Sequence, residues 1–193
     1  KDTDNVTGMS RTRLNRGTVM EAAAVAVDTD GHSELSLGRL ATDLGVQPSA
    51  LYNHVDGING LRHDLSVHAT ENLADHLRNS LVARSGFDAV RSIARSYREY
   101  AHSHPGQFAA TLLQTADTHD QLIDAHSRIV ELFISVVESI GLSGERGVHA
   151  ARLLRSSIHG FVALEAIDAH TNPVSRDASF EKLIDFTISA LEP

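Results

Sequence analysis

Leucine and alanine recur at every fourth position in the middle of the chain, from Leu61 through Ala69 to Leu81. Positions four apart lie on one face of an α-helix, whereas the side chains of a strand alternate every two residues. The run therefore predicts a long helix with one buried face. Shorter stripes with helical spacing fill most of the remaining chain, and no strand alternation or internal repeat is convincing. Together they predict an all-α fold of about nine helices.

The composition removes several classes of function. The 193 residues include no Cys, which excludes disulfides, thiol catalysis and Cys-ligated metals. No segment resembles a signal peptide, and no apolar run approaches the roughly 20 residues that cross a membrane. We therefore expect a soluble, cytoplasmic protein without a membrane partner. Residues 1–13 are expected to form a flexible arm, because the chain begins with a polar stretch that has no periodic pattern.

The stretch GVQPSALYNH, residues 45–54, predicts a corner between two short helices. An apolar stripe over residues 37–44 precedes it, and Ser36 can cap that helix. Gly45 suits the positive φ of a helix end, and Pro48 suits the first turn of the next helix. Small Ala41 lets the two helices approach closely. The pattern is that of a helix-turn-helix.

In the DNA-binding form of this motif the second helix enters the major groove. Gln and Asn can pair with adenine edges, whereas Ser, Tyr and His can reach phosphates. The alternative is a structural corner with Tyr52 and His54 packed inside. The predicted DNA-contacting residues are Arg11, Arg13, Arg16, Ser36, Arg39, Gln47, Pro48, Ser49, Tyr52, Asn53 and His54.

The net charge of −8 argues against a nucleic-acid partner, but its distribution is uneven. Residues 1–62 hold 6 Lys and Arg against 8 Asp and Glu, whereas residues 63–193 hold 11 against 17. Three of the arginines cluster ahead of the first predicted helix. A local basic edge therefore remains compatible with DNA binding.

Residues 14–63 resemble the DNA-binding domain of the TetR family of bacterial transcriptional regulators. The resemblance is carried by DTDGHSELSLGRLATDLGV and PSALYNHVDGINGL, in which LYNHV is similar to the family's Leu-Tyr-x-His-aromatic signature. It implies that Tyr52 and His54 contact phosphates. Val55 stands where the family usually has Phe. Ile58 stands where it usually has a phosphate-contacting Lys, which implies one phosphate contact fewer.

The second half of the chain carries a weaker resemblance to the same family. SSIHGFVALEAIDAH resembles a C-terminal type known for a Trp-His-Gly motif, with Ile158 in place of the Trp. The segment HPGQF at residues 104–108 fits a short helix found in such regulators. The resemblance implies a helix-turn-helix domain over residues 14–60 and a ligand-binding and dimerisation domain over residues 61–193.

In the family, the last two long helices pair with their copies in a homodimer. Residues 144–169 are apolar nearly all round, which predicts burial on most sides of that helix. Gly160 would permit the close approach of a partner helix. The interface members expected from this pairing are Phe161, Leu164, Phe180, Leu183 and Ile184. A monomer with a thick core is the alternative.

The resemblance also implies a small-molecule inducer, apolar or amphipathic, that releases a repressor from a pseudo-palindromic DNA operator. The candidate ligand-binding residues are Tyr97, Tyr100, Phe108, Leu112, Phe133, His159, Phe161 and Leu164. Each of them also fits a plain core position. No cofactor is expected.

Other readings stay open from the residues alone. The 12 His residues show no HExxH and no helical ligand spacing, so no metal site is expected. Ser, His and Asp lie in no recognisable nucleophile elbow, so an enzyme has no positive support. The alternative function is a helical small-molecule or metal-binding protein without DNA binding.

Overall fold

The computed structural model describes residues 14–112 and 120–192, and within these ranges it contains helices and no strand. The prediction of an all-α fold with about nine helices is confirmed. The α-helices are α1 Arg16–Asp30, α2 Leu37–Asp43, α3 Pro48–Leu51, α4 Gly57–Ser80, α5 Gly86–Ser103, α6 Pro105–Ala110, α7 Asp120–Glu138, α8 Gly144–Ala166 and α9 Arg176–Leu191. In the described part of the chain, none of them is long and apolar enough to cross a membrane.

Local signals fix the ends of the first helices. Asn15 caps α1 in a capping box, since its side chain accepts from Thr18 N–H while the Thr18 hydroxyl accepts from Asn15 N–H. Ser36 caps α2 by accepting from Arg39 N–H. Gly45 follows α2 with φ +66°, a left-handed conformation that glycine adopts at little cost. These capping and turn residues hold α1, α2 and α3 at the angles that their small shared core requires.

Helix α4 belongs to both hydrophobic cores of the protein. Its first half contributes Leu61, Leu65 and Ala69 to a cluster with α1, α2 and α3. Its second half contributes Leu73 and Leu77 to a larger cluster with α5 to α9. The repeat at every fourth position is therefore one continuous helix, whose buried stripe changes partners halfway along.

The packing of α8 and α9 in the larger core contradicts part of the predicted homodimer interface. Helix α8 buries one face, whereas Leu153 and Leu164 on another face, and Ile167 directly after the helix, are between 46% and 74% exposed. The helix is therefore not buried on most sides within one chain. Phe180 and Ile184 are each 1% exposed and lie in the protomer's own core, so their prediction as interface members is wrong.

The two cores are joined by a set of hydrogen bonds that we call the Asp28–Gln107 joint. Gln107 donates to the Asp28 carboxylate through its backbone N–H at 2.8 Å and through its side-chain amide at 2.7 Å. The Gln107 side-chain carbonyl accepts from the Asn72 amide at 2.9 Å. His32 Nε2 lies 2.7 Å from the carbonyl oxygen of Gly106. Helix α1 is thereby bound to α6 by charge-assisted hydrogen bonds, which are stronger than neutral ones, and α6 is bound to α4 by the neutral bond between Gln107 and Asn72.

Helix α6 also touches the backbone of α1 directly at Gly106. A Cβ atom at Gly106 would lie 2.1 Å from the carbonyl oxygen of Val27 and 2.6 Å from the backbone nitrogen of Asp28. Both obstacles are backbone atoms, which cannot rotate away. Only glycine fits at this contact.

A partly enclosed ion cluster ties α5 to the end of α8 and the start of α9. Arg98 donates two hydrogen bonds to the Glu165 carboxylate, at 2.8 and 2.6 Å, and its guanidinium lies 2.8 Å from Asp177. His102 Nε2 lies 2.9 Å from the same Glu165 carboxylate. These hydrogen bonds, from Arg98 above all, lower the pKa of Glu165 from 4.5 to about 2. The Arg98 guanidinium also lies 4.9 Å from the Phe180 ring centre, a cation–π distance.

We predict that Gly106→Ala destabilises the protein by about 1–3 kcal/mol or more, because α1 and α6 must separate to admit the methyl group. Urea unfolding followed by circular dichroism measures the loss. Gly38→Ala is the matched control, since Gly38 has open space around a Cβ position. Equal stability of the Gly106 variant and the parent would contradict the close contact.

The second prediction concerns acid stability. Glu165 has a lower pKa in the folded chain than in the unfolded one, so its contribution is complete above pH 4.5 and is lost as the pH falls towards 2. A pKa difference of this size corresponds to about 3 kcal/mol in the free energy of unfolding. We expect Glu165→Gln to lower stability at pH 7 and to flatten the loss of stability between pH 5 and 2. Glu181→Gln, at a mostly solvent-exposed pair with Arg95, should change little, and equal effects of the two variants would refute the assignment.

Candidate nucleic-acid interface

The corner between α2 and α3 has the geometry of a helix-turn-helix. Ala41 is 1% exposed and its carbonyl oxygen accepts from Val46 N–H at 2.9 Å, across the turn at Gly45. Leu51 is completely buried beneath the turn, and Val55 is 5% exposed. The apolar side chains under the turn therefore fix the angle between the two helices, and the predicted motif is confirmed.

The outer face of this corner is polar and exposed. Gln47, Pro48, Ser49 and Asn53 are exposed, and the Tyr52 side chain projects from the surface at 62% exposure. The alternative of a corner with Tyr52 packed inside is therefore wrong for that residue. His54 is half-buried. The predicted recognition residues thus lie together on one accessible surface.

Helix α3 is short, and its first turn is its most accessible part. It has four residues, with Pro48 at its first position and Gln47 as the preceding cap residue. Gln47 makes no side-chain capping bond. Its amide is therefore left to reach outward, where it carries both a donor and an acceptor for a base edge.

The arginines near this surface are held by acidic partners. Arg16 donates to Asp64 at 2.6 Å, and Arg39 donates to Asp30 at 2.6 Å. Asp43 lies 4.0 Å from Arg39 on the same helix. The arginine side chains are 61% and 44% exposed, so these ion pairs are weak and a phosphate can replace the carboxylate at small cost. Arg11 and Arg13 lie outside the described residues.

Ile58 is used in packing at the start of α4. Its side chain is half-buried against the cluster of α1, α2 and α3. Arg62, one turn later, is half-buried and has no ion pair within the part of the chain that the structure describes. Among these residues, Arg62 therefore stands unpaired one helical turn from the position where the family usually has a phosphate-contacting Lys.

Comparisons with known proteins identify the family. A family model described as "Tetracyclin repressor-like, C-terminal domain" matches residues 90–187. The uncharacterized HTH-type transcriptional regulator Rv0681 of Mycobacterium tuberculosis is 33% identical over 173 residues, 89% of this chain and 79% of that protein. The uncharacterized HTH-type transcriptional regulator YobS of Bacillus subtilis is 33% identical over 160 residues, 82% of this chain and 83% of that protein. The chain belongs to the TetR family.

Solved structures with the same fold are more distant in sequence. A Rhodococcus protein of unknown function has a TM-score of 0.79 at 18% identity, covering 99% of this chain and 100% of that one. The TetR family transcriptional regulator PfmR of Thermus thermophilus has a TM-score of 0.65 at 18% identity, covering 92% and 97%. The fold and the family together make this protein a DNA-binding transcriptional regulator of the helix-turn-helix class.

In this TetR-family regulator, four of the predicted ligand-binding residues meet in the larger core. Tyr97 packs edge-on against Phe108 and Phe133, and its hydroxyl lies 3.0 Å from His159 Nδ1. Burial raises the pKa of Tyr97 to about 12. Burial, with a smaller effect of Arg155, lowers the pKa of His159. Both rings are therefore neutral at pH 7.

The other four predicted ligand-binding residues lie apart from this group. Tyr100 is buried beside α4, where its hydroxyl donates to the carbonyl oxygen of Ala69 at 3.2 Å. Phe161 packs 5.2 Å from the ring of Phe180. Leu112 and Leu164 are each 48% exposed. The eight residues therefore do not line one common space in this conformation.

Sequence reasoning missed the residues that join the DNA-binding surface to this core. The HPGQF segment predicts a short helix, and α6 starts at its Pro105. Nothing in that segment names Asp28, which lies 79 positions earlier, as the partner of Gln107. The sequence signal that could have drawn attention to this bond is Gln107 itself, a polar side chain in the otherwise apolar short helix α6.

We predict that Ile58→Lys tightens binding to nonspecific duplex DNA severalfold and steepens its salt dependence by about one unit, because one phosphate contact is added. Fluorescence anisotropy at several salt concentrations measures both quantities. Ile58→Met keeps an apolar side chain at the half-buried position and serves as the control. An unchanged salt slope in the Lys variant would show that position 58 does not face the DNA backbone.

Proposed function

We propose that this TetR-family protein is a repressor that binds a pseudo-palindromic operator as a homodimer and is released by a small apolar or amphipathic ligand. The main support is the exposed start of α3, in a helix-turn-helix that packs on α1, together with the Asp28–Gln107 joint that bonds α1 to α6. The proposal makes the protein a cytoplasmic regulator without enzymatic activity. It assigns DNA binding to residues 14–60, and ligand binding and dimerisation to the larger part from residue 61.

In the proposed complex, the two kinds of recognition residue have separate tasks. Gln47, Ser49 and Asn53 read base edges, since amide and hydroxyl groups match the hydrogen-bonding pattern of the major groove. Tyr52 and His54 bind phosphates and set the register of the helix. Arg16 and Arg39 exchange their carboxylate partners for phosphates on binding. Arg11 and Arg13, together with Pro48 and Ser36, complete the proposed DNA-contacting set.

The proposed dimer interface is an apolar stripe on the exposed face of α8. Leu153, Gly160, Leu164 and Ile167 follow one another at intervals of seven, four and three, which places them on one side of the helix. Phe186 of α9 is 75% exposed. A Cβ atom at Gly160 would meet nothing within 4 Å, so the backbone of a partner helix can approach there. Exposed apolar surface of this kind is typical of an interaction site.

The dimer gives the two recognition surfaces a fixed separation. A two-fold axis between the α8 helices would place the two α3 helices for half-sites about one helical turn of DNA apart, roughly 34–36 Å. Such an arrangement reads a pseudo-palindrome, because the symmetry of the operator follows that of the protein. A monomer would read only one half-site, with much lower affinity.

The proposed ligand enters the aromatic group around Tyr97. Apolar walls with one polar pair, Tyr97 and His159, suit an apolar or amphipathic molecule. Phe108 of α6 directly follows Gln107, so a ligand that displaces Phe108 also pulls on Asp28 of α1. The ligand would thereby favour a conformation in which α1 and the recognition surface no longer match the operator.

Selection from a random DNA library tests the proposed function. We expect a pseudo-palindromic operator, a general loss of affinity in Tyr52→Ala, and an altered base preference worth about 1–3 kcal/mol per site in Gln47→Ala. Tyr52→Phe keeps the ring and removes the hydroxyl, so it shows which of the two contributes to DNA affinity. If no sequence is enriched at any salt concentration while the protein remains dimeric, repression through an operator is refuted.

A charged residue in the α8 stripe tests the dimer. We expect Leu164→Asp to produce monomers in sedimentation velocity and to lower operator affinity at least tenfold, since a buried unpaired charge destabilises an interface. Val82→Asp is the control, because Val82 is 71% exposed in the turn after α4, away from the stripe. A dimeric Leu164→Asp variant would place the interface elsewhere.

A further inference from the structure

A polar cleft lies between the second half of α4 and one face of α5, outside both surfaces described above. Its volume is about 440 Å³, and the residues that decide its chemistry are His76, Asn79, Arg84, Ser92, Ser96 and Glu99. We call it the α4–α5 cleft. Its volume exceeds the roughly 30 Å³ that one water occupies and falls in the range of small-molecule sites.

Two buried polar atoms at this cleft have no hydrogen-bond partner among the described residues: His76 Nε2 and Ser96 Oγ. Ser96 is only 5% exposed. Glu99 lies 4.0 Å from His76 Nε2, which is too long for a hydrogen bond. An unsatisfied buried polar group destabilises the folded state, and native proteins keep few of them. Both side chains line the cleft, and an occupant with polar atoms would satisfy these two atoms once the side chains turn towards it.

The remaining groups of the cleft favour an occupant rich in oxygen acceptors. Arg84, Asn79 and the Ser96 hydroxyl supply donors, and the carboxylate of Glu99 is 71% exposed. The Ser92 hydroxyl already donates to the carbonyl oxygen of Ser80. Arg84 is only loosely paired, 3.7 Å from Asp88, so its charge is available to a ligand. Arg95 also lines the cleft, but two hydrogen bonds commit it to Glu181. This donor set matches a small anion.

The cleft is separate from the aromatic group of α5. Ser92, Ser96 and Glu99 stand at positions i, i+4 and i+7, so they share one face of the helix. Tyr97 lies on a different face, where it meets His159 of α8. A molecule in the cleft would therefore occupy a space separate from that of a ligand in the aromatic core.

The cleft is connected to the DNA-binding part through a short chain of contacts. The His76 ring lies 5.5 Å from the Tyr100 ring. The Tyr100 hydroxyl lies 3.4 Å from the side-chain carbonyl oxygen of Gln107. The side-chain amide nitrogen of Gln107 in turn donates to the carboxylate of Asp28 on α1. These contacts form a continuous path from His76 to α1.

We propose that the α4–α5 cleft is a second effector site that binds a small hydroxylated organic oxyanion, held by His76, Ser96 and Arg84. Occupancy orders the His76 side chain against Tyr100 and alters DNA affinity through the Asp28–Gln107 joint. The effect on DNA rests on the proposed function, whereas binding in the cleft does not.

Binding is tested with citrate and with glucose 6-phosphate as probes, by following the imidazole signals of His76 in NMR spectra at constant ionic strength. The signals are assigned by comparison with His76→Gln. We expect a saturable shift with at least one probe, weakened at least tenfold in Ser96→Ala and in Arg84→Ala. Arg78→Ala is the matched control, since Arg78 lies on α4, pairs with Asp75 and does not line the cleft. No saturable shift with either probe, or equal shifts in Ser96→Ala, would overturn the site in favour of a cleft that holds only water.

Thermal unfolding separates loss of binding from loss of folding. Ser96→Ala removes an unpartnered hydroxyl, so the probe-free variant should be as stable as the parent while losing the probe-induced rise in Tm. A probe-induced rise that persists in Ser96→Ala would contradict the role of Ser96.

The coupling to DNA is tested in a second experiment on the selected operator. We expect the bound probe to change operator affinity severalfold in the parent and not in Tyr100→Phe, which keeps the ring but loses the hydroxyl that faces Gln107. A probe that binds the cleft without changing operator affinity would refute the coupling. Failure of the parent to bind any operator would refute the proposed function while leaving the NMR result on the cleft intact.

Discussion

The position of the DNA-binding surface depends on the contact between Asp28 of α1 and Gln107 of α6. The Asp28 carboxylate, with a side chain 17% exposed, accepts hydrogen bonds from both the backbone and the side chain of Gln107. Next to it, the backbone of Gly106 touches that of Val27 with no room for a side chain. Because one partner is charged and the other contact is between backbones, neither yields without a cost in free energy. Helix α4 supplies the only comparably extensive link within the described residues, through the apolar stripe that runs from one core to the other.

The acidic charge of the protein has a local counterpart at the DNA-binding surface. Arg16 and Arg39, the two described arginines of the predicted set, each face an aspartate in the free protein. These pairs orient the guanidinium groups while lowering the net positive charge of the surface. The proposed recognition by the start of α3 therefore adds to a phosphate attraction that these aspartates weaken in the free protein.

The parts of the structure that follow from local spacing were predictable from the sequence. The helices, the cap at Ser36 and the turn at Gly45 depend on near neighbours, as does the exposure of Tyr52 beside the buried Leu51. The sequence did not predict which apolar side chains pack in the protomer's own core and which are left for a partner. When a helix has two apolar sides, its pattern does not show which side the rest of the same chain buries. Phe180 and Ile184 were misplaced for this reason. The bond between Gln107 and Asp28 and the unpartnered atoms of His76 and Ser96 depend on tertiary packing, which periodicity does not record.

The continuity of α4 limits how this regulator can be recombined with its relatives. A chimera joined near residue 60 would cut between two parts whose buried stripe is a single helix, and it would leave Asp28 and Gln107 from different parents. A DNA-binding unit that can be transferred to another regulator would need to include α1 to α3 and the first half of α4. The recipient regulator would need a glycine and a glutamine at the positions where α6 contacts α1. Modularity in this protein is therefore a property of matched surfaces and not of a linker.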